Sequence, residues 1–154
     1  MKNNVLCCFF LICSITILTA QESIEAKHQL DWKKNYSNAE RIAKKENKNL
    51  LIYFTGSDWC GPCKMLVEDF FNSKKFFGLS ENFVLYEANF PRNKDLVTKE
   101  QQVINKKLKS KFRVTSYPTI LILKSNGKEI GRRKGYNLMR DVSYHFNFIE
   151  SYLK

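Results

Sequence analysis

Leu50-Leu51-Ile52-Tyr53-Phe54 is a nearly continuous apolar run, and it constrains the fold more than any other stretch of the chain. A strand with one wet face alternates polar and apolar residues. An unbroken run is apolar on both faces and suits a strand covered from both sides, as in a parallel sheet. Thr55-Gly56-Ser57-Asp58 then separates this strand from Trp59-Cys60-Gly61-Pro62-Cys63-Lys64. A helix is predicted from about Gly61, with Pro62 tolerated in its first turn and Leu66 and Phe70 turned inward.

The rest of the pattern extends this unit. Ser37-Asn38-Ala39-Glu40 reads as a capping box, opening a helix to about Lys48 with Ala39, Ile42 and Ala43 inward. A short piece around Ser73 to Phe77 extends or breaks the cysteine helix. Phe83 to Asn89 is the next strand, ended by Pro91, and a helix is expected from Lys94 to Lys109. Thr119 to Lys124 is a second continuous apolar strand. The Asn-Gly turn in Ser125-Asn126-Gly127-Lys128 returns the chain as Glu129 to Lys134, whose basic, glycine-containing sequence suits an exposed edge. A last helix from Leu138 to Leu153 is expected to bury Met139, Val142, Phe146, Ile149 and Leu153. Helical crossovers, then a hairpin and a closing helix, define an α/β fold with a central mixed sheet of four or five strands flanked by helices. Reactive groups in such sheets lie beyond the carboxyl ends of the strands. Cys60 falls there.

The cysteine inventory depends on the N-terminus. Met1 and Lys2 are followed by Val5 to Leu18, 14 residues that are apolar apart from Ser14 and Thr16. A membrane span needs roughly 20 such residues, whereas a secretory signal needs fewer. Residues 1–20 therefore read as a signal peptide ending at Thr19-Ala20, and residues 21–154 as one domain. Left uncut, the same segment would be an anchor. A lipidated Cys13 would want a small residue in Phe10-Leu11-Ile12, and there is none. Cys7, Cys8 and Cys13 leave with the signal, so Cys60 and Cys63 are the two cysteines of the exported protein.

A bridge closing so short a loop removes almost no unfolded-state entropy, so the pair is not a structural staple. A structural zinc would need four ligands; His28 and His145 are distant in sequence and read as surface or boundary histidines. No metal and no cofactor are expected, and no Ser/His/Asp set, phosphate loop or carboxylate pair is recognisable. The formal charge is +11, or +10 without Lys2, and it is densest from Arg92 to Arg113, with eight Lys/Arg against Asp95 and Glu100. With Val97, Ile104 and Leu108 on one face, those lysines read as the solvated side of an amphipathic helix. Nucleic acid is not the expected partner.

Redox exchange remains. At the N-terminus of a helix, free N–H groups and the macrodipole stabilise an anion at Cys60, and thiols so placed ionise at about 3.5–7.5 instead of about 8.5. Cys63, one turn on, is placed to attack the mixed disulfide that Cys60 forms. Trp59 would shield one side, and Lys64 would either add positive potential or be plain helix surface.

These residues resemble the active-site signature of the thioredoxin family. Val114-Thr115-Ser116-Tyr117-Pro118-Thr119, about 55 residues beyond Cys63, is similar to that family's cis-proline loop, and the resemblance covers Leu30 to Lys154. It implies a thioredoxin-like fold, catalysis by Cys60 and Cys63, and substrate contact through Trp59, Gly61, Pro62, Tyr117 and a cis Pro118. A substrate segment would add beside Tyr117 as a short strand. The chain departs from the family in one respect. The strand before the motif lacks the buried aspartate of cytosolic thioredoxins, and Glu87, on the next strand, is a candidate replacement; otherwise it is an exposed strand residue.

The function implied is an exported thiol-disulfide oxidoreductase acting on protein disulfides as a reductase. Its setting would be the periplasm or cell envelope, or secretion. It would act as a monomer and draw electrons from a membrane thiol-disulfide donor. The alternatives are a disulfide oxidase or isomerase, and a thioredoxin-like binding module that holds a partner protein with little turnover.

Overall fold

The structure, a computed structural model, describes residues 29–153. The expected signal peptide, Cys7, Cys8, Cys13 and His28 lie outside the described residues. The elements run β1 (Trp32–Lys33), α1 (Tyr36–Glu46), β2 (Asn49–Thr55), α2 (Gly61–Leu66), a π turn (Val67–Phe71) and α3 (Lys74–Ser80). They continue with β3 (Phe83–Asn89), a 3-10 turn (Lys94–Leu96), α4 (Lys99–Lys111), β4 (Thr119–Leu123), β5 (Glu129–Lys134) and α5 (Ser143–Glu150). One five-stranded sheet has the order β1-β3-β2-β4-β5. β1, β3 and β2 are parallel, β4 is antiparallel to β2, and β5 is antiparallel to β4.

The apolar run becomes the middle strand, and every residue of β2 is buried. Its alternate side chains feed two cores. Leu51 and Tyr53 join Leu85, Ile120 and Ile122 in packing against Leu66, Phe70, Phe76 and Ile149 from the cysteine-side helices. Leu50, Ile52 and Phe54 join Val84, Tyr86 and Leu121 against Ala39, Ala43 and Leu108 of α1 and α4. That double covering is why the strand carries no polar alternation. β5 closes the other edge, and the turn before it has Gly127 at φ 81°, a left-handed conformation that suits glycine.

Several boundaries differ from the sequence expectations. Asn35, not Ser37, caps α1, its side chain accepting from the Asn38 N–H at 2.9 Å. The helix stops at Glu46 because Asn47 is left-handed, with φ 51°. The predicted helix from Lys94 to Lys109 starts late: Thr98 and Gln101 form a reciprocal capping box, so α4 begins at Lys99 and only a 3-10 turn precedes it. Val97 and Ile104 are half-buried and Leu108 is buried, with α4's Asn105 buried beside it.

The C-terminal helix is shorter than expected. Leu138 and Met139 are 82% and 84% exposed, because the segment ahead of α5 is pinned as a loop. The Arg140 guanidinium pairs with Glu68, at 2.8 Å, and with Asp69, while the Tyr136 hydroxyl donates to Asp69 at 2.7 Å. Leu153 lies beyond α5 and is exposed rather than buried. Val142 is half-buried, and Phe146 and Ile149 do face the core. His145, expected at the surface or boundary, is 3% exposed between Phe70 and Tyr136.

Candidate functional site

The site forms beyond the carboxyl end of β2, and it is built largely by loop hydrogen bonds. The Gly56 carbonyl accepts from the N–H groups of Trp59 and Cys60, at 3.2 and 2.8 Å, folding the connection into a tight turn. The Trp59 ring lies on Gly56, where an added Cβ would fall 2.3 Å from the indole. Any larger residue at Gly56 would displace that ring.

The turn is tied to the segment that leaves β3. The Phe90 N–H donates to the Thr55 carbonyl at 2.8 Å, and the Trp59 indole N–H donates to the Phe90 carbonyl at 2.8 Å. Asn89 donates to the Ser57 hydroxyl at 2.7 Å and accepts from the Ser57 N–H at 3.0 Å. The Asp58 carboxylate caps the backbone N–H groups of Arg92 and Asn93 at 3.0 and 2.8 Å. Those bonds, Asn93's first, hold its carboxyl below the usual range. Behind Asn89, Asn105 donates to the Asn89 carbonyl at 2.9 Å and accepts from the Tyr86 hydroxyl at 2.7 Å. One polar chain therefore runs from α4 through β3 to the cysteine turn.

Cys60 is the N-cap of α2, and its sulfur accepts from the Cys63 N–H at 3.3 Å. The two are joined as a disulfide, with Cα atoms 5.2 Å apart. Pro62 sits in the first turn, where a missing N–H costs no helix hydrogen bond. Below the bridge, the buried Tyr53 hydroxyl donates to the Cys63 carbonyl at 3.0 Å, and burial keeps that phenol protonated. Lys64, on the rim, donates to the Asp58 carbonyl at 2.9 Å.

The residues expected from sequence converge here. Trp59 is 39% exposed and packs edge-on to Tyr117, with ring centres 5.8 Å apart. Tyr117 also packs against the core cluster that contains both cysteines. The Tyr117–Pro118 peptide is cis, and the buried Pro118 carbonyl accepts from the Gly135 N–H at 2.8 Å. Gly61 is exposed beside Cys60. Glu87 pairs in register with Tyr53, on the disulfide side of the sheet. It is half-buried, and burial pushes its carboxyl up against the opposing effect of Lys34. Among the described residues no hydrogen bond joins it to either cysteine.

Sequence reasoning missed the supports: Tyr53, Ser57, Asp58, Asn89 and Asn105. Ser57 and Asp58 carried a usable signal, because Ser and Asp before a helix commonly accept backbone N–H bonds. Asn89 and Asn105 carried none, since their partners are brought together by the fold. Among the described residues no group of three His, Cys, Asp or Glu could hold a metal ion, and no helix is long and apolar enough to cross a membrane.

A mixed sheet with helices on both faces and a cysteine pair at the β2–α2 turn, next to a cis-proline loop, defines a thioredoxin-fold dithiol protein. A thioredoxin-like domain family matches residues 36–145, and the chain belongs to that family. The chain is 32% identical over 110 residues to a disulfide bond reductase, DsbH, of Chlamydia pneumoniae, covering 70% of this chain and 64% of the relative. It is 30% identical over 130 residues to the thioredoxin-related protein DsbJ of the same organism, covering 84% of this chain and 37% of that one. The chain thus spans less than two thirds of both relatives' own length. A solved DsbH oxidoreductase structure superposes with a TM-score of 0.67 at 26% identity, covering 79% of this chain and 85% of that one.

Proposed function

We propose that this protein is an exported reductase of protein disulfides. The observation that carries the reading is the placement of the Cys60 sulfur at the N-cap of α2, accepting from the Cys63 N–H, beside the Tyr117–Pro118 loop. An N–H aimed at sulfur stabilises the thiolate, which is the attacking species. In the reduced protein the Cys60 thiolate attacks one sulfur of a substrate disulfide, forming a mixed disulfide and releasing one substrate thiolate. The Cys63 thiolate then attacks the Cys60 sulfur, forming the Cys60–Cys63 bridge and releasing the second. Two electrons from a membrane dithiol donor reset the pair.

The roles follow the exposure. Both cysteines are buried, and Cys60, at 4% exposed against 1% for Cys63, is the more accessible of the two. Trp59, Gly61, Pro62 and Tyr117 form the surface that receives the substrate segment, and the buried cis Pro118 sets the Tyr117 backbone beside it. Reduction is favoured over oxidation by the Gly-Pro dipeptide of thioredoxin-type reductants and by the name of the similar reductase. Residues 1–20 act as the signal peptide, and residues 21–154 are the domain that works in the periplasm or cell envelope.

The test is trapping in the native envelope. Cys63→Ser is expected to accumulate mixed disulfides with envelope proteins, visible as adducts that a reductant dissolves, and Cys60→Ser is expected to accumulate none. Adducts on Cys60→Ser but not on Cys63→Ser would reverse the roles. Absence from both would contradict the enzymatic reading.

A further inference from the structure

Three aromatic rings make a continuous surface beside the disulfide. Tyr117 is the middle member, 5.8 Å from the Trp59 ring and 5.4 Å from the Phe90 ring between centres. Cations sit over all three. The Arg92 guanidinium lies 5.7 Å from the Trp59 ring centre, and Lys109 Nζ lies 5.1 Å from that of Tyr117 and 5.5 Å from that of Phe90. Lys64, whose ammonium donates to the Asp58 carbonyl at 2.9 Å, adds a third charge at the rim.

These cations form no close ion pair with a carboxylate, although Arg92 lies in the field of Asp58. Six ion pairs form among the described residues, and none includes Lys64, Arg92 or Lys109. Asp58, the carboxylate that faces Arg92, is already engaged by two backbone N–H groups. A cation resting on a ring face stays hydrated on its other side, so it can still take an anion. An apolar surface that stations unpaired positive charge at both ends selects the charge of what lies across it.

Resting on the disulfide-exchange reading of the same site, we propose that Arg92 and Lys109 select substrate segments that are acidic: extended polypeptide with Asp or Glu flanking the target cysteine. Trp59, Tyr117 and Phe90 take the apolar part of the segment, while Arg92 and Lys109 receive the flanking carboxylates. The formal charge, +10 once Lys2 leaves with the signal peptide, repels basic segments before contact.

The experiment uses two cysteine-free peptides of equal length, one with Glu and one with Lys on either side of a central Ser. Each is titrated into the oxidised protein while the Trp59 indole N–H is followed by NMR. At about 50 mM salt the Glu peptide is expected to bind on the order of tenfold more tightly, and at about 0.5 M the difference should largely disappear, as screening requires. Arg92→Gln with Lys109→Gln should abolish the discrimination at low salt; Lys109→Gln alone should reduce it. Equal affinities, a preference for Lys, or discrimination that survives the double substitution would overturn the proposal. The same peptides carrying a disulfide separate it from the function. Selective binding without any reduction would sink the reductase reading and leave the docking intact. Reduction at equal kcat/KM would do the reverse.

Discussion

His145 ties folding to pH through a single buried ring. It packs tilted against Phe70 and edge-on to Tyr136, with ring centres 5.6 and 5.4 Å away, and its Nδ1 has no hydrogen-bond partner. Burial first, and then the Arg133 charge, push its pKa down to about 4. An unfolded histidine titrates near 6.5, so the unfolded chain takes up this proton first. The stability it contributes is complete above about 6.5 and is lost as pH falls toward about 4. Urea midpoints measured across that window should decline with falling pH, and His145→Phe should flatten the decline. An unchanged slope in the variant would show that other groups govern the acid response. Glu87 has the opposite sign: its raised carboxyl favours the folded state when protonated, and that contribution falls as pH rises.

Elements reveal where pattern reading succeeds and where it stops. β2, β3 and β4 were legible because burial on both faces leaves each a continuous apolar run, Leu50 to Phe54, Phe83 to Tyr86 and Ile120 to Leu123. Helix ends were less so, since Asn35 and Ser37 are both good caps and only the tertiary entry of the chain from β1 selects Asn35. β1 itself is two residues long, too short for any periodicity. The apolar spacing of Leu138 and Met139 suggested a helix, but Arg140 is held by Glu68 and Asp69 from a distant helix, and no local pattern reports that. The cysteine turn has the same character: its motif was plain, and its fastening to Asn89 was not. Asn89→Ala removes both hydrogen bonds to Ser57 and should cost about 1–3 kcal/mol, the range for leaving buried polar groups unpaired. It should also change the fluorescence of Trp59, whose loop it anchors. Stability lost with no change at Trp59 would show that Asp58 and the Phe90 contacts hold the loop unaided.

At the scale of the whole molecule, one sheet separates two cores, and the disulfide caps the one that contains Leu66, Phe70 and Phe146. The second core, under α1 and α4, reaches the site through Tyr117, Phe90 and the Asn105–Asn89–Ser57 chain. The reactive pair is therefore rigidly seated, while the surface around it remains open to a polypeptide. That arrangement fits exchange with a protein disulfide better than chemistry inside a closed pocket. Whether it gives or takes electrons depends on the relative stability of the dithiol and the bridge. Equilibrating the purified protein across a glutathione redox series, and quantifying the Cys60–Cys63 bridge at each ratio, measures that directly. A potential near the thioredoxin value of about −270 mV is expected. A value near the about −120 mV of a strong disulfide donor such as DsbA would contradict the reductase assignment.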